Sequence, residues 1–495
     1  LDILVNSMMS RSRGDYEENY IYWGNAEGQY SEKDRISLPG RDSYEFVMAD
    51  LNDDGQVEIV FTNSGEGGRK ANENWIFWND LNRFDPWRIT GLPGYMTLGI
   101  QTADLDRDGW LDLVASDFAV DPNSKLQGTS IWWGGVSGFC IHDKTLIPHI
   151  GRSANIADLN EDHYLDLVFG SGDRKGVPFQ PEGAAIFWGD GSRNYTTARR
   201  TLLPETQGTS QPEVADLNRD GHLDIVFPRS AVDSNALVLY GNDKNDYESA
   251  QRESLVIEGC GNCSIADVDL DGWLDILFPT YKSKGPPISR DTLSRIWRGG
   301  PQGFDPSRLI LLPTDSGTGS LVSDFNRDGY PDVFFYCHRK EGNPEKIGSF
   351  GDHLTNSLLY WGGPAGFQIT NRLGIPSAGV HNDSGVDIGD IRNRRFEFAY
   401  VSSPHETQGT PVSIRWNAEE PRPNTHVRFQ IRGAESAEGL AAASWCGPSG
   451  EGSYFTQSGE TIHLPPIQWL QYRAVLDTGN GASSPILKSV EIRFE

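Results

Sequence analysis

The chain has 495 residues, of which 37% are hydrophobic, and carries 43 Lys+Arg against 69 Asp+Glu for a net charge of −26. That length exceeds one ordinary β-sandwich and calls for two or three domains, or for a closed repeat architecture that absorbs most of it. The acidic excess excludes the basic footprint of a nucleic-acid or anionic-membrane binder, and the lack of any eighteen-residue apolar run excludes a membrane span. Abundant Gly (55) with 14 Trp, 17 Tyr and 22 Phe favours short strands joined by tight turns. The chain opens Leu1-Asp2-Ile3-Leu4-Val5, which reads as a mature or trimmed chain whose targeting signal is unseen.

One acidic segment recurs along the chain. It begins at Ala49-Asp50 and Ala103-Asp104, returns at Ala157-Asp158 and Ala215-Asp216, and appears again at Ala266-Asp267 and Ser323-Asp324. The lead aspartates are 54, 54, 58, 51 and 57 positions apart, and a damaged seventh copy at Gly389-Asp390 follows after 66 more. A second signal keeps the same period: Tyr22-Trp23-Gly24, Phe77-Trp78-Asn79, Trp132-Trp133-Gly134, Phe187-Trp188-Gly189, Leu239-Tyr240-Gly241, Ile296-Trp297-Arg298 and Tyr360-Trp361-Gly362. Leu203-Pro204 and Leu312-Pro313 exemplify a further strand signal ahead of the next acidic loop. Each unit therefore holds four short strands, A to D, with the acidic loop between A and B. Four strands repeated radially predict the blades of a β-propeller.

The strand order predicts how the ring closes. Leu1–Asn6 matches strand B and is followed by C and D, while an orphan A strand lies near 385–391. The simplest solution is a seven-bladed propeller over 1–395, its last blade combining a late A strand with N-terminal B, C and D. An eight-bladed ring is the alternative, because 396–401 also reads as a B strand. Residues 396–495 lose the repeat and contain the alternating segments Val427–Arg432, Trp469–Val475 and Val490–Phe494, which predict a β-sandwich.

With each lead Asp as position 1, the loops carry acid at 1, Asp or Asn at 3, Asp at 5, Gly at 6 and Asp or Glu at 9. The sets are Asp50/Asn52/Asp54/Glu58, Asp104/Asp106/Asp108/Asp112, Asp158/Asn160/Asp162/Asp166, Asp216/Asn218/Asp220/Asp224, Asp267/Asp269/Asp271/Asp275 and Asp324/Asn326/Asp328/Asp332. Oxygens at alternating positions converge on a hard cation, and the loose, many-oxygen geometry suits Ca²⁺ better than Mg²⁺. Up to six structural Ca²⁺ ions are expected, offsetting 12 of the 26 negative charges. The second and fifth loops are all-carboxylate and should bind tightest. The third, at Asp158, has His163 where Gly is expected and should be weakest, its turn strained or altered.

Ala215-Asp-Leu-Asn-Arg-Asp-Gly-His-Leu-Asp-Ile-Val226 and its siblings resemble FG-GAP/VCBS repeats, the blade units of integrin α-chain propellers and many secreted proteins. The resemblance covers roughly 1–391 and implies a Ca²⁺-stabilised propeller in an extracellular, cell-surface or periplasmic setting. It does not select among adhesion modules, lectins and carbohydrate-active enzymes.

The B–C loops are long, and together carry 14 Lys+Arg and 14 Asp+Glu, so they are neutral in an acidic chain. Arg69, Lys70, Arg174, Lys175, Lys282, Lys284 and Arg290 mark this face as one that admits an anionic or hydroxyl-rich ligand; the competing explanation is ordinary mixed-charge solvated loops. A lyase would place His or Tyr beside Arg, and His338, Arg339, His353, His381, Arg152 and Tyr281 are the candidates, though no spacing singles out a pair. Cys260-Gly-Asn-Cys263 has redox-motif spacing but precedes a strand, so a local disulfide is the favoured reading. Three functions follow: a binding module for a glycan or extracellular protein, a polysaccharide lyase or hydrolase, or a structural subunit of an extracellular assembly.

Overall fold

The structure is a computed structural model that describes residues 2–6, 17–25, 29–40, 43–63, 71–80, 84–117, 128–171, 183–283, 289–341, 354–380, 397–407, 409–419, 425–465, 467–478 and 485–495. Seven small antiparallel sheets follow one another as far as Ala378. The first has three strands, Ile3–Val5, Glu17–Tyr22 and Arg35–Gly40, and the other six have four each, paired in chain order. The A strands of these six are Ser43–Ala49, Thr97–Ala103, Ala154–Ala157, Glu213–Ala215, Ser264–Ala266 and Gly317–Ser323. The B strands, such as Asp166–Phe169 and Asp332–Cys337, are buried along their whole length. Both their faces are covered, which is why they read as unbroken apolar runs instead of alternating ones.

Neighbouring sheets share apolar cores. Leu4, Ile21 and Leu38 of the first sheet pack with Phe46, Ile59 and Phe61 of the second. Val60 and Ile76 meet Ile100 and Leu113 of the third, and Ile131 meets Ile156 and Leu167 of the fourth. Val226 of the fifth packs on Ile276 of the sixth, whose Leu277 packs on Val333 of the seventh. The first sheet has a second neighbour as well: Ile3, Val5 and Tyr22 share a core with Phe334, Tyr336 and Leu359 of the seventh. The Tyr22 hydroxyl donates to the Pro376 carbonyl at 2.7 Å and that of Tyr336 to the Leu4 carbonyl at 3.3 Å.

The A strands converge on a common polar centre. Glu45 is fully buried and accepts from the Ile100 amide (3.2 Å), from Gln101 Nε2 (3.2 Å) and from Gln211 Nε2 at the start of the fifth sheet (3.4 Å). Asn155 Nδ2 donates to Glu213 Oε2 at 3.1 Å in the same layer. These arrangements are consistent with a propeller. The expected A strand near 385–391 and the damaged loop at Gly389 lie outside the described residues.

One buried carboxylate ties each repeat together. Asp112, at position 9, accepts from the Leu105 amide (2.8 Å) at the loop entrance and from the Gly134 amide (2.9 Å) at the end of strand C. Asp166, Asp224, Asp275 and Asp332 repeat the pair of bonds with Leu159/Gly189, Leu217/Gly241, Val268/Gly299 and Phe325/Gly362. The two periodic signals in the sequence are thus the two ends of one hydrogen-bonded clamp. In the first sheet Asp2 Oδ1 accepts from the Gly24 amide at 2.9 Å.

The glycine of the clamp is required by crowding. A Cβ at Gly134 would lie 2.2 Å from the Leu111 carbonyl oxygen, and one at Gly189, Gly299 or Gly362 would meet the equivalent carbonyl at 2.1–2.2 Å. The second sheet departs from the pattern on both sides at once, with Asn79 in place of the glycine and the longer Glu58 in place of the aspartate, joined at 3.4 Å.

Beyond Glu397, six strands form one sheet in which Trp469–Asp477 is flanked by Glu397–Val401 and His426–Ala434. Pro411–Glu419 pairs separately with Ile486–Phe494. Ile414, Val427, Phe429, Ile431, Phe455, Leu470 and Ala474 make a shared core that also contacts Val490 and Ile492. The chain divides into two compact units, Leu1–Leu159 with Tyr164–Asn218 and Leu223–Arg392 in one, and Asn160–His163 with Arg219–His222 and Asn393–Glu495 in the other. The tips of the third and fourth acidic loops, Asp162 and Asp220 among them, therefore fall in the second unit and not with the rest of their repeats.

Gly134→Ala should cost about 2–4 kcal/mol, since the added methyl meets backbone that has no room to shift. Gly135→Ala, where a Cβ has nothing within 4 Å, should be near neutral. Thermal denaturation of the two variants side by side checks this.

Candidate metal loops and a cationic rim

The six A–B loops share one conformation. In the first, the lead Asp50 accepts from the Asp54 amide (3.1 Å) and the Gly55 amide (2.8 Å), Asn52 Oδ1 also accepts from the Asp54 amide (3.1 Å), and Asp54 Oδ1 accepts from the Gln56 amide (2.9 Å). The loops at Asp104, Asp267 and Asp324 repeat the bonds from Asp at position 1 to the amides of positions 5 and 6. In the fourth loop Asp220, at position 5, makes the bond that Asp54 makes in the first: its Oδ1 accepts from the His222 amide at 2.8 Å. The glycine at position 6 has φ between 83° and 92° in five loops.

His163 takes the same left-handed conformation, φ 70°. The third loop therefore keeps its turn in spite of the imidazole, at a cost on the order of 1 kcal/mol. Sequence reasoning missed a second left-handed residue. Position 4 is Asp53, Arg107, Glu161, Arg219, Leu270 or Arg327, each with φ between 57° and 63°. None is glycine, so residue type gave no signal of it.

The loops differ at position 3. Where Asn stands there, its Nδ2 donates to the position-5 carboxylate at 3.0 Å, as in Asn52–Asp54, Asn160–Asp162 and Asn326–Asp328. Where Asp stands there, no such donor exists and arginines take its place. Arg193 reaches Asp106 Oδ2 at 2.7 Å and Asp108 Oδ2 at 3.4 Å. Arg298 pairs with Asp269, and Arg308 with Asp271 at 2.9 Å.

In these same two loops, carboxylate oxygens of Asp104, Asp106 and Asp108, and of Asp267, Asp269 and Asp275, lie within 4.8 Å of one another. Oxygen-only sets this compact fit a hard divalent cation. The expected fourth members, Asp112 and Asp271, lie outside these sets. Among the described residues, neither Asp50/Asp54/Glu58 nor Asp324/Asp328/Asp332 brings three carboxylates within that distance. Each of these loops has asparagine at position 3, so it offers one carboxylate fewer, and the amide there supplies a neutral oxygen in its place.

The position-9 acids sit deepest. Burial, reinforced by the neighbouring loop carboxylates, pushes Asp112 and Asp275 up to about 7 and Asp332 up to about 6.

At the far ends of the sheets, part of the expected cationic face is brought together. The Tyr281 ring has Arg290 at 4.9 Å and Arg339 at 5.4 Å over it, and the His338 ring at 5.7 Å. Arg339 Nη2 donates to the Tyr281 hydroxyl. Burial and the Arg339 charge lower the pKa of Arg290. Glu341 accepts from the Arg290 amide, so one carboxylate belongs to the group.

Arg152 stands apart from that cluster: it donates to the Tyr44 hydroxyl and, at 3.2 Å, to Ser210 Oγ. Lys282 sits beside Gly259, where a Cβ would be 3.0 Å from its carbonyl oxygen. Arg69, Lys70, Arg174, Lys175, Lys284, His353 and His381 lie outside the described residues.

The expected Cys260–Cys263 disulfide is not formed: both side chains are buried as thiols in the core between the fifth and sixth sheets. Cys260 Sγ donates to the Asn262 carbonyl, and burial raises the Cys263 thiol well above its ordinary value. The motif has packing reasons. A Cβ at Gly261 would lie 2.2 Å from Arg152 Nη1, and Asn262 bonds the Thr318 carbonyl.

Comparison with known proteins agrees with the repeat pattern. An FG-GAP-like repeat family matches residues 50–115 and 158–227. The human (Homo sapiens) T-cell immunomodulatory protein is 24% identical over 311 residues, which span 61% of this chain and 42% of that protein. Among solved structures, the V. cholerae biofilm matrix protein Bap1 is similar with TM-score 0.29 and 12% identity over 96% of this chain and 73% of that one. A glycoside hydrolase family 43 arabinoxylan arabinofuranohydrolase from Bacillus subtilis gives TM-score 0.24 and 8% identity, over 97% and 93%. A Bacteroides uniformis protein described as a 6-phosphogluconolactonase gives 0.43 and 9%, over 77% and 97%. Scores this low carry no functional assignment.

A carboxyl whose pKa is raised on folding favours the fold while protonated, and that contribution is lost as pH rises from its unfolded value near 4 through about 7. Metal-free protein should therefore melt about 5 °C or more lower at pH 8 than at pH 5.5. Added Ca²⁺ should remove the difference, because the ion favours the ionised loops. Melting in chelator and in Ca²⁺ at both pH values reads this out.

Proposed function

Because this chain carries FG-GAP-like repeats, we propose that it is a Ca²⁺-stabilised, seven-bladed propeller over residues 1–395, followed by a β-sandwich over 396–495, acting outside the cytoplasm as a binding module. The first sheet shares cores with both the second and the seventh, which supports closure of a seven-membered ring. Ca²⁺ is the favoured ion, held at up to six A–B loops and most tightly at Asp104/Asp106/Asp108/Asp112 and Asp267/Asp269/Asp271/Asp275. The role of the ions is structural: they neutralise carboxylates that otherwise repel one another.

The observation that carries the binding role is the pair of guanidinium groups held on one tyrosine ring, Arg290 and Arg339 on Tyr281, in a chain of net charge −26. Such a pair suits an acidic glycan or an acidic patch on an extracellular protein. The nearness of His338 and the Arg339–Tyr281 bond favours a second reading, elimination within a uronide polymer, in which tyrosine or histidine serves as base and arginine neutralises the carboxylate.

Native electrophoresis of the Ca²⁺-loaded chain through gels cast with acidic and neutral polysaccharides tests both. Retardation by an acidic polymer, weakened about tenfold in Arg290→Gln/Arg339→Gln, is expected for binding at this rim. A cleared track behind the band would make it an enzyme, and unchanged mobility in every gel would sink both readings.

A further inference from the structure

The six-stranded sheet of the C-terminal unit has a second face, opposite its apolar core. His426–Ala434 alternates Val427, Phe429 and Ile431 into that core with Arg428, Gln430 and Arg432 on the other side, and Trp469–Asp477 places Gln471 and Arg473 beside them. The chain between these strands pairs along the edge of His426–Ala434, at Cys446 and Phe455, and supplies Trp445 and Tyr454. Arg432 lies 4.4 Å and Arg473 5.2 Å from the Trp445 ring centre, and Arg428 lies 4.3 Å from that of Tyr454.

Two buried glutamines aim the arginines. Gln471 donates to the Ser402 carbonyl at 2.7 Å, which leaves its Oε1 to accept from Arg432 Nε (3.0 Å) and Nη2 (2.6 Å). Gln430, 1% exposed, donates to the Ser453 carbonyl at 2.9 Å and accepts from Arg473 Nη2. The Tyr454 hydroxyl is 3.5 Å from Arg473 Nη2.

The contrast with Arg428 is informative. Arg428 is neutralised by Asp477, with Nε to Oδ2 at 2.9 Å, and by Glu397. Arg432 and Arg473 are oriented by neutral amides, and among the described residues neither has a carboxylate partner. A carboxylate in place of either glutamine would have been the ordinary way to hold a half-buried guanidinium. An amide orients it and leaves its charge unspent.

We infer that Arg432 and Arg473, both held against Trp445, form a second binding site in the C-terminal unit that takes the carboxylate of a uronate-containing polysaccharide. The guanidinium forks match a planar carboxylate, and Tyr454 offers a hydroxyl to the attached ring. The face presents side chains, not a free strand edge, so it lacks the main-chain pairing that an extended acidic peptide uses. At about 0.15 M salt the Debye length is about 8 Å, so the distant carboxylates of the chain are screened from this contact. The inference rests on this unit alone and is independent of the rim at Tyr281.

The test uses the full Ca²⁺-loaded chain already carrying Arg290→Gln/Arg339→Gln, in gels containing polygalacturonate, dextran or poly-glutamate. Residual retardation by polygalacturonate and none by dextran is expected, and adding Arg432→Gln/Arg473→Gln should weaken it about tenfold with Tm unchanged. No residual retardation, or retardation that survives the added pair, overturns the site. Stronger retardation by poly-glutamate than by polygalacturonate also overturns it. Should the double variant fold poorly, Arg432→Lys/Arg473→Lys keeps the charge and loses the fork. A several-fold weaker retardation then supports the site, and an unchanged one counts against it.

Discussion

The rest of the repeat region depends on a single buried carboxylate in each four-stranded sheet. It accepts one amide from the entrance of the acidic loop and one from the end of strand C, so three strands and a loop are referred to one point. An ionised carboxylate in such a place is costly, and two backbone donors offset only part of that cost, so burial still pushes Asp112 and Asp275 up to about 7. The second sheet shows that length is the controlled variable: Glu58 reaches one methylene further and Asn79 stands where glycine is otherwise required. Crowding at that point, not helix or strand preference, selects the glycine.

The same loops hold opposing electrostatic and backbone demands. Two left-handed residues in six positions are tolerable because the lead aspartate fixes two amides between them. The side chains so arranged repel one another, and the molecule answers in two ways. Asparagine at position 3 converts one repulsion into a hydrogen bond, whereas aspartate at position 3 brings arginine to the loop. The loops richest in carboxylate are thus also the ones with a resident countercharge. An incoming cation there competes with or supplements a guanidinium, and does not enter an unshielded site.

Much of the repeat region was legible because its signals are physical contacts in the same unit. The acidic loops, the strand after each and the Trp-Gly dipeptide could be placed from spacing alone, as could the three C-terminal strands around Val427, Trp469 and Val490. What stayed hidden had no residue-type marker. The left-handed position 4 accepts Asp, Arg, Glu and Leu alike, so nothing announces it. The second and fifth loops, by contrast, were legible as the all-carboxylate pair, and among the described residues it is in these two that three acids lie within 4.8 Å of one another. Cys260-Gly-Asn-Cys263 suggested chemistry by its spacing, yet its glycine admits Arg152 and its thiols fill a core. Tyr281, Arg290, His338 and Arg339 could be named as candidates, but their convergence on one ring joins residues up to 58 positions apart and required the fold.

The placement of the resident arginines bears on how such a series of repeats can be assembled from copies. Every partner in the carboxylate clamp comes from the same sheet, so the clamp travels intact when a unit is duplicated. Arg298 and Arg308 likewise belong to the sheet whose loop they neutralise. Arg193 does not: it rises from the end of strand C in the fourth sheet and settles on Asp106 and Asp108 of the third. The third and fourth units are therefore coupled through Arg193. Copied without the fourth, the third would carry an all-carboxylate loop that lacks Arg193.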